Sequence, residues 1–183
     1  MVSRYSIVII VLLCVGCSVN PVTGERDFVL MSEQEELALG RQHSQQVMKA
    51  YRRYDDPELQ QYVQSVGDRV ARVSHRQNLI YRFTLLDSTQ VNAFALPGGY
   101  IYITRGLLVY LNSEAELAAV LGHELGHVTA RHSVRQHSLA TTTNIIGSLI
   151  AAASGVQGAG QLTNMLGTGI VRGYGREHEL EAD

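Results

Sequence analysis

The chain has little cysteine, proline or phenylalanine and no tryptophan: two Cys, three Pro and three Phe among 183 residues. Both cysteines, Cys14 and Cys17, fall in the first seventeen residues. The remainder therefore has no disulfide framework, and needs none if its core is large enough. About 165 residues follow Cys17, enough for one domain with a real core. Neither sign of charge dominates, with 15 Lys and Arg against 17 Asp and Glu for a net charge of −2. These charges are interspersed, and the absence of a basic patch excludes nucleic acid as a partner. Long hydrophobic runs are missing as well. Ile7 to Val15 is apolar but is interrupted by Ser18 and Asn20, whereas a membrane-spanning helix needs about 20 apolar residues.

That short run reads instead as an address. Arg4 supplies a positive start, Ile7 to Val15 has the length of a signal-peptide core, and Gly16-Cys17-Ser18 is similar to the end of a bacterial lipoprotein signal. On that reading residues 1–16 are a lipoprotein signal peptide, Cys17 is the lipidated first residue of the mature chain, and residues 17–31 are a lipid-anchor linker. By resemblance to enterobacterial lipoproteins, serine after the cysteine is compatible with the outer membrane. The alternative is ordinary secretion with a free thiol.

The most informative residues are His123-Glu124-Leu125-Gly126-His127. On a helix, positions i and i+4 lie about 40° apart, so both imidazoles can reach one metal ion. Glu124 is turned about 100° from His123, placed to act on water at the metal without ligating it. With seven histidines in the chain, chance would place only about 0.016 such strings. Ser113-Glu114-Ala115-Glu116 reads as a capping box that starts the helix, and Leu117, Val120, Leu121, Leu125 and Val128 recur at the spacing of a buried helix. A catalytic zinc normally takes three protein ligands and leaves a fourth position open. The tail offers Glu177, Glu179, Glu181 and Asp183. Glu179 and Asp183 share a helical face, while Glu177 and Glu181 are each turned about 200° from Glu179. The economical assignment makes Glu179 the third ligand and Asp183 an acceptor that orients a ligand histidine. The bland alternatives are a solvated acidic face and a histidine pair satisfied by ordinary hydrogen bonds.

H-E-L-G-H followed by E-x-E-A-D, and preceded by Asn92-Ala93-Phe94-Ala95-Leu96-Pro97-Gly98-Gly99, resembles the bacterial periplasmic zinc metallopeptidases of the BepA and LoiP type. They belong to the large family that also includes HtpX and the CAAX prenyl endoproteases. Asn20-Pro21-Val22-Thr23-Gly24 and Leu30-Met31-Ser32-Glu33 resemble the opening of the mature region in such proteins. The resemblance implies one zinc ion per chain held by His123, His127 and Glu179, with Glu124 as the catalytic glutamate and Asp183 as the supporting carboxylate. It implies an α+β, mostly helical zincin-type (gluzincin) domain over residues 32–183, truncated at its C-terminus, with a small sheet beside the motif helix. The expected function is a zinc-dependent endopeptidase of the Gram-negative periplasm, anchored to outer-membrane lipid through Cys17. Its expected substrates are unfolded or misfolded envelope proteins. Two other readings stay open: a zinc-binding, chaperone-like lipoprotein with little proteolysis, and a structural lipoprotein with no metal.

Elsewhere, Ser32-Glu33-Gln34-Glu35 predicts a capped helix to about Arg52, and Asp56-Pro57 a second to about Ser74. Ile80 to Asp87 alternates like a half-buried strand, and Val91 to Thr104 reads as a strand pair turning at Pro97-Gly98-Gly99. A short helix is expected around Leu107 to Leu111. The strand at Gly98-Gly99 also offers an edge that an extended peptide can pair with. Asn144 to Val171 is read as a glycine-rich helical pair or flap over the site. His132, about 140° from the metal face on a continuous helix, is expected at the surface. Tyr100, Tyr102 and Tyr174 are candidates for polarising a carbonyl, although packing is the commoner use of such residues.

Overall fold

In the computed structural model, the described residues are 17–154 and 175–183. The expected signal peptide and most of the glycine-rich segment, residues 155–171, lie outside them. The N-terminal part forms a small antiparallel hairpin, β1 (Cys17–Val19) and β2 (Arg26–Phe28), in which Cys17 pairs with Phe28. Helix α1 (Glu33–Ala50) starts at a complete capping box, with Ser32 accepting from the Glu35 amide and Glu35 accepting from the Ser32 amide. Helix α2 (Pro57–Ala71) starts at Asp56, whose carboxylate accepts from the Leu59 amide, with proline in the favoured first turn.

Three strands follow: β3 (Arg82–Leu86), β4 (Ala93–Leu96) and β5 (Tyr100–Thr104). They form one mixed sheet in the order β3-β5-β4, with β5 parallel to β3 and antiparallel to β4. Gly98 and Gly99 make the turn between β4 and β5 at φ +75° and +88°, a region open to glycine at little cost. A short helix α3 (Arg105–Leu108) leads to the motif helix α4 (Glu114–Thr129), then to α5 (His132–Ser154) and, after the undescribed segment, to α6 (Arg176–Ala182).

The period of two in the strands sorts their side chains to opposite faces. Phe83, Leu85, Ala95, Ile101 and Ile103 face α2 and α4, where they meet Val63, Val66, Leu117, Leu121, Leu125 and Val128. Leu86, Leu96 and Tyr102 face the other way, against Val47 and Tyr51 around the end of α1. The alternation in β3 sets buried Phe83 and Leu85 against exposed Arg82 and half-buried Thr84, as a half-buried strand does, and only Leu86 at its end is buried on the second face. The outer edge of β3 is occupied by α2. Gln60 accepts from the Leu85 amide and donates to the Leu85 carbonyl, and Gln64 accepts from the Phe83 amide. Strand β4 has β5 on one side only and forms the opposite edge.

One further expectation is adjusted. Ser113 caps α4 through the Glu116 amide, but the Glu116 carboxylate accepts from the amide of Asn112, one residue beyond its expected partner. Residues 144–154 belong to α5, and the rest of the expected helical pair or flap lies outside the described residues. Among the described residues, no helix is long and apolar enough to cross a membrane.

A charged group is fully enclosed where α1 meets the end of α4. Glu36, 1% exposed, accepts from Arg76 at 2.7 Å and from Arg131 at 2.9 Å. Arg76 also reaches the Val128 carbonyl in the last turn of α4, and Arg131 reaches Ser18 and the Met31 carbonyl. Arg131 has φ +58°, and it is there that the chain leaves α4 and turns into α5.

Candidate metal centre

Helix α4 presents its two histidines on one side because they are four residues apart, and α6 lies across it. His123 Nε2 and His127 Nε2 are 3.1 Å apart, and Glu179 Oε2 lies 3.2 Å from the first and 3.9 Å from the second. Among the described residues, these three form the group whose donor atoms all lie within 4.8 Å of one another. Zinc bonds imidazole nitrogen and carboxylate oxygen at about 2.0–2.2 Å, so a tetrahedral arrangement sets such atoms about 3.3 Å apart. The observed triangle fits that requirement.

Close approach of the two helices depends on Gly126, the fourth residue of the motif. A Cβ built there would stand 2.4 Å from the carbonyl oxygen of Ala182. Asp183, the residue that directly follows α6, brings its Oδ1 to 2.8 Å from His123 Nδ1. An Nδ1–H of His123 donating to that carboxylate leaves the Nε2 lone pair directed at the donor triangle. Glu124, on the same helix, is 9% exposed. Burial pushes its carboxyl up to about 7; His123 opposes this and Glu179 adds to it. Burial, together with the neighbouring His132 and His123, holds the His127 imidazole down at about 3, so it is neutral and able to act as a ligand at ordinary pH. The side chains thus comprise two imidazoles and a carboxyl group aimed at one point, and a second carboxyl, that of Glu124, poised to exchange a proton near neutrality.

An open cleft of about 490 Å³ gives access to this group and is lined by His123, Glu124 and Asp183 together with Asn92 and Ala93 at the start of β4. A second hollow of about 540 Å³ lies over α2 and residues 77–81, away from the motif histidines. Among the described residues, the sheet edge beside the site is therefore β4, with Ala93 and Phe94 half-buried. The Gly98-Gly99 turn is buried and β5 is paired on both sides, which corrects the edge expected there. Tyr102 is committed to packing, with its hydroxyl donating to Ser44, and Tyr100 lies beneath Arg82; Tyr174 lies outside the described residues.

Every expected site residue inside the described side chains is in this group: His123, Glu124, His127, Glu179 and Asp183. Cys17 opens β1 at the backbone. His132 corrects its expectation outright, since it is 0% exposed and its Nδ1 lies 2.8 Å from His127 Nδ1. The surface expectation assumed one continuous helix, whereas the turn at Arg131 reverses the geometry. His132 Nε2 lies 3.0 Å from Glu181 Oε2, and Arg135 and Asn20 donate to the same carboxylate. Burial raises the Glu181 carboxyl, but hydrogen bonds from His132, Arg135 and Asn20 outweigh it and hold the group below its usual range. His178 stacks on His132 at 4.4 Å between ring centroids.

Residues 57–183 match the model of peptidase family M48. Over 173 residues the chain is 33% identical to the beta-barrel assembly-enhancing protease of Yersinia pestis, covering 89% of this chain and 35% of that protein. The protein of the same name from Escherichia coli K12 is 33% identical over 159 residues, covering 81% of this chain and 32% of its own length. The mitochondrial metalloendopeptidase OMA1 of Schizosaccharomyces pombe is 35% identical over 123 residues, or 67% of this chain and 36% of that one. The chain spans about a third of the length of these relatives.

Proposed function

The chain belongs to peptidase family M48, and from that premise we propose that it is a zinc-dependent endopeptidase acting on proteins of the Gram-negative envelope. The observation that carries this reading is the convergence of His123, His127 and Glu179 on one point with Glu124 beside it. His123 and His127 would hold the metal through Nε2 and Glu179 through Oε2, while Asp183 orients His123. Zinc held there would supply Lewis acidity towards a carbonyl and water. Glu124 accepts the proton of the attacking water and returns it to the leaving amine, and a carboxyl raised towards neutrality suits both transfers. The open edge of β4, which shares the cleft, pairs with the substrate main chain. Such pairing aligns a scissile bond without reading its side chains and suits unfolded substrates.

The bacterial relatives are named as proteases that enhance β-barrel assembly, which supports β-barrel proteins of the envelope as the substrate class. Gly16-Cys17-Ser18 after an apolar run supports lipid attachment at Cys17, a periplasmic location and an outer-membrane anchor, with residues 1–16 as the signal and 32–183 as the peptidase domain. Lipid labelling of the chain that disappears in Cys17→Ser is the expected outcome for the anchor. Hydrolysis is tested with an unfolded outer-membrane protein as substrate. Cleavage that stops on chelation and returns with zinc is expected; cleavage that persists through chelation contradicts the proposal. A chaperone-like role is distinguished by Glu124→Gln, which in that case leaves the cellular effect intact.

A further inference from the structure

The strongest feature outside the ligand set is a line of polar side chains running away from the metal centre into the protein. It begins at His127, 3% exposed, passes to His132, 0% exposed, and ends at Glu181. Arg135 Nη1 donates to Glu181 at 2.6 Å, Asn20 donates to the same side chain, and Asp27 lies 3.4 Å from Arg135 Nε. Three separate parts of the chain therefore meet behind one ligand: the N-terminal hairpin, the first turn of α5, and α6.

Hydrogen-bond polarity along this line admits one arrangement when His127 Nε2 is a metal ligand. His127 must then carry its proton on Nδ1, and at 2.8 Å that proton is donated to His132 Nδ1. His132, accepting on Nδ1, carries its own proton on Nε2 and donates it at 3.0 Å to Glu181. Glu181 accepts from each of its neighbours, as an ionised carboxylate does. No group on the line is asked both to donate and to accept at the same atom. Ligand imidazoles are commonly fixed by a carboxylate or carbonyl at the second nitrogen; here the acceptor is another imidazole, itself held by a carboxylate. His123 takes the direct form through Asp183, so the two ligand histidines are held by different devices.

The geometry points to His132 and Glu181 as positioning residues that fix the tautomer and ring orientation of His127 and thereby set how tightly the metal is held. The inference rests on the metal-site reading above and goes beyond it in assigning a role to residues that touch neither metal nor substrate. It also makes the hairpin carrying Asn20 part of the support of the metal site.

Zinc affinity of the full chain, measured by competition with a chromophoric chelator, provides the test. His132→Phe keeps the ring volume but removes the acceptor, and a loss of about 10- to 100-fold is expected. His132→Asn places an oxygen near the position of Nδ1 and is expected to recover most of that loss, although it fills the site less well. A purely structural role for His132 predicts the reverse order, and that order overturns the inference. Glu181→Ala, at the far end, is expected to cost several-fold, and unchanged affinity removes Glu181 from the relay. Long-range proton–nitrogen spectra of the unmutated zinc-loaded chain do not depend on any variant folding. They should show His127 protonated at Nδ1 and His132 at Nε2, and a proton on His132 Nδ1 overturns the inference. A parent chain that binds no zinc defeats the metal-site reading itself; tight zinc binding unaffected by His132→Phe defeats the relay alone.

Discussion

Gly126 and Ala182 meet backbone to backbone: a methyl group on the former would stand 2.4 Å from the carbonyl oxygen of the latter. That contact sets the distance between α4, which carries the two histidines, and α6, which carries Glu179, Glu181 and Asp183. Gly126→Ala therefore displaces all three carboxylates from their histidines. Zinc affinity is expected to fall at least tenfold, since ligand and supporting interactions are lost together. Gly122→Ala on the same helix is the control. Among the described residues its Cβ meets only Val70 Cγ1, at 3.6 Å, so zinc binding should be unchanged and stability unchanged or raised by up to about 1 kcal/mol. Chelator competition and thermal melts on both variants check the pair; equal zinc affinity contradicts the account.

Glu124 does not belong to the donor triangle, so metal binding and turnover should separate at this residue. Glu124→Gln keeps the shape and loses the proton acceptor. It should retain stoichiometric zinc while kcat falls by about 10²- to 10⁴-fold with little change in KM. Steady-state cleavage with a parallel metal analysis reads both quantities. Cleavage near the parent rate removes Glu124 from its assigned role.

Burial of Glu124 also predicts a pH dependence in the metal-free protein. Its carboxyl is raised from 4.5 to about 7 in the folded chain. The native state then holds a proton that the unfolded state has released, and stability falls as pH rises through that interval. His127 acts in the opposite sense. Its imidazole, lowered from 6.5 to about 3, withholds a proton that the unfolded state takes up, so its contribution is lost as pH falls. Comparison with Glu124→Gln isolates the first effect. The variant should gain several degrees of Tm relative to the parent between pH 4.5 and pH 7, with each kcal/mol worth about 2–4 °C in a domain of this size. Thermal melts in the presence of chelator test this; a Tm difference independent of pH contradicts it.

The enclosed Glu36 predicts a purely structural loss. Glu36→Ala leaves the guanidinium groups of Arg76 and Arg131 facing each other with their shared acceptor removed. Breaking a buried pair in this way costs about 3–5 kcal/mol. Urea denaturation measures it, and a loss below about 1 kcal/mol would show that solvent reaches the group.

What was legible in the sequence follows the reach of local rules. The helix starts at Ser32, Asp56 and Ser113 could be read because a cap and its target are neighbours in the chain. The metal group could be read because His123 and His127 lie on one helix and Glu179 and Asp183 on another. His132 could not. Its orientation depends on Arg131 leaving the helix at positive φ without the glycine that usually marks such a turn, and helical-wheel arithmetic carried past that point gives the wrong face. Asn20, Glu36 and Glu181 were illegible for a different reason. Their partners lie 40 to 161 residues away in the chain, and a polar residue at helical spacing looks the same whether it meets water or a buried arginine. The edge beside the cleft was misassigned because strand order depends on the parallel pairing of β3 with β5, which has no short-range signature.

The central claim is a metal held by one particular triangle of side chains. Elemental analysis of the purified chain beside Glu179→Ala tests it most directly. The account predicts one zinc per chain in the parent and little or none in the variant. No zinc in the parent, or an equal amount in Glu179→Ala, would contradict it.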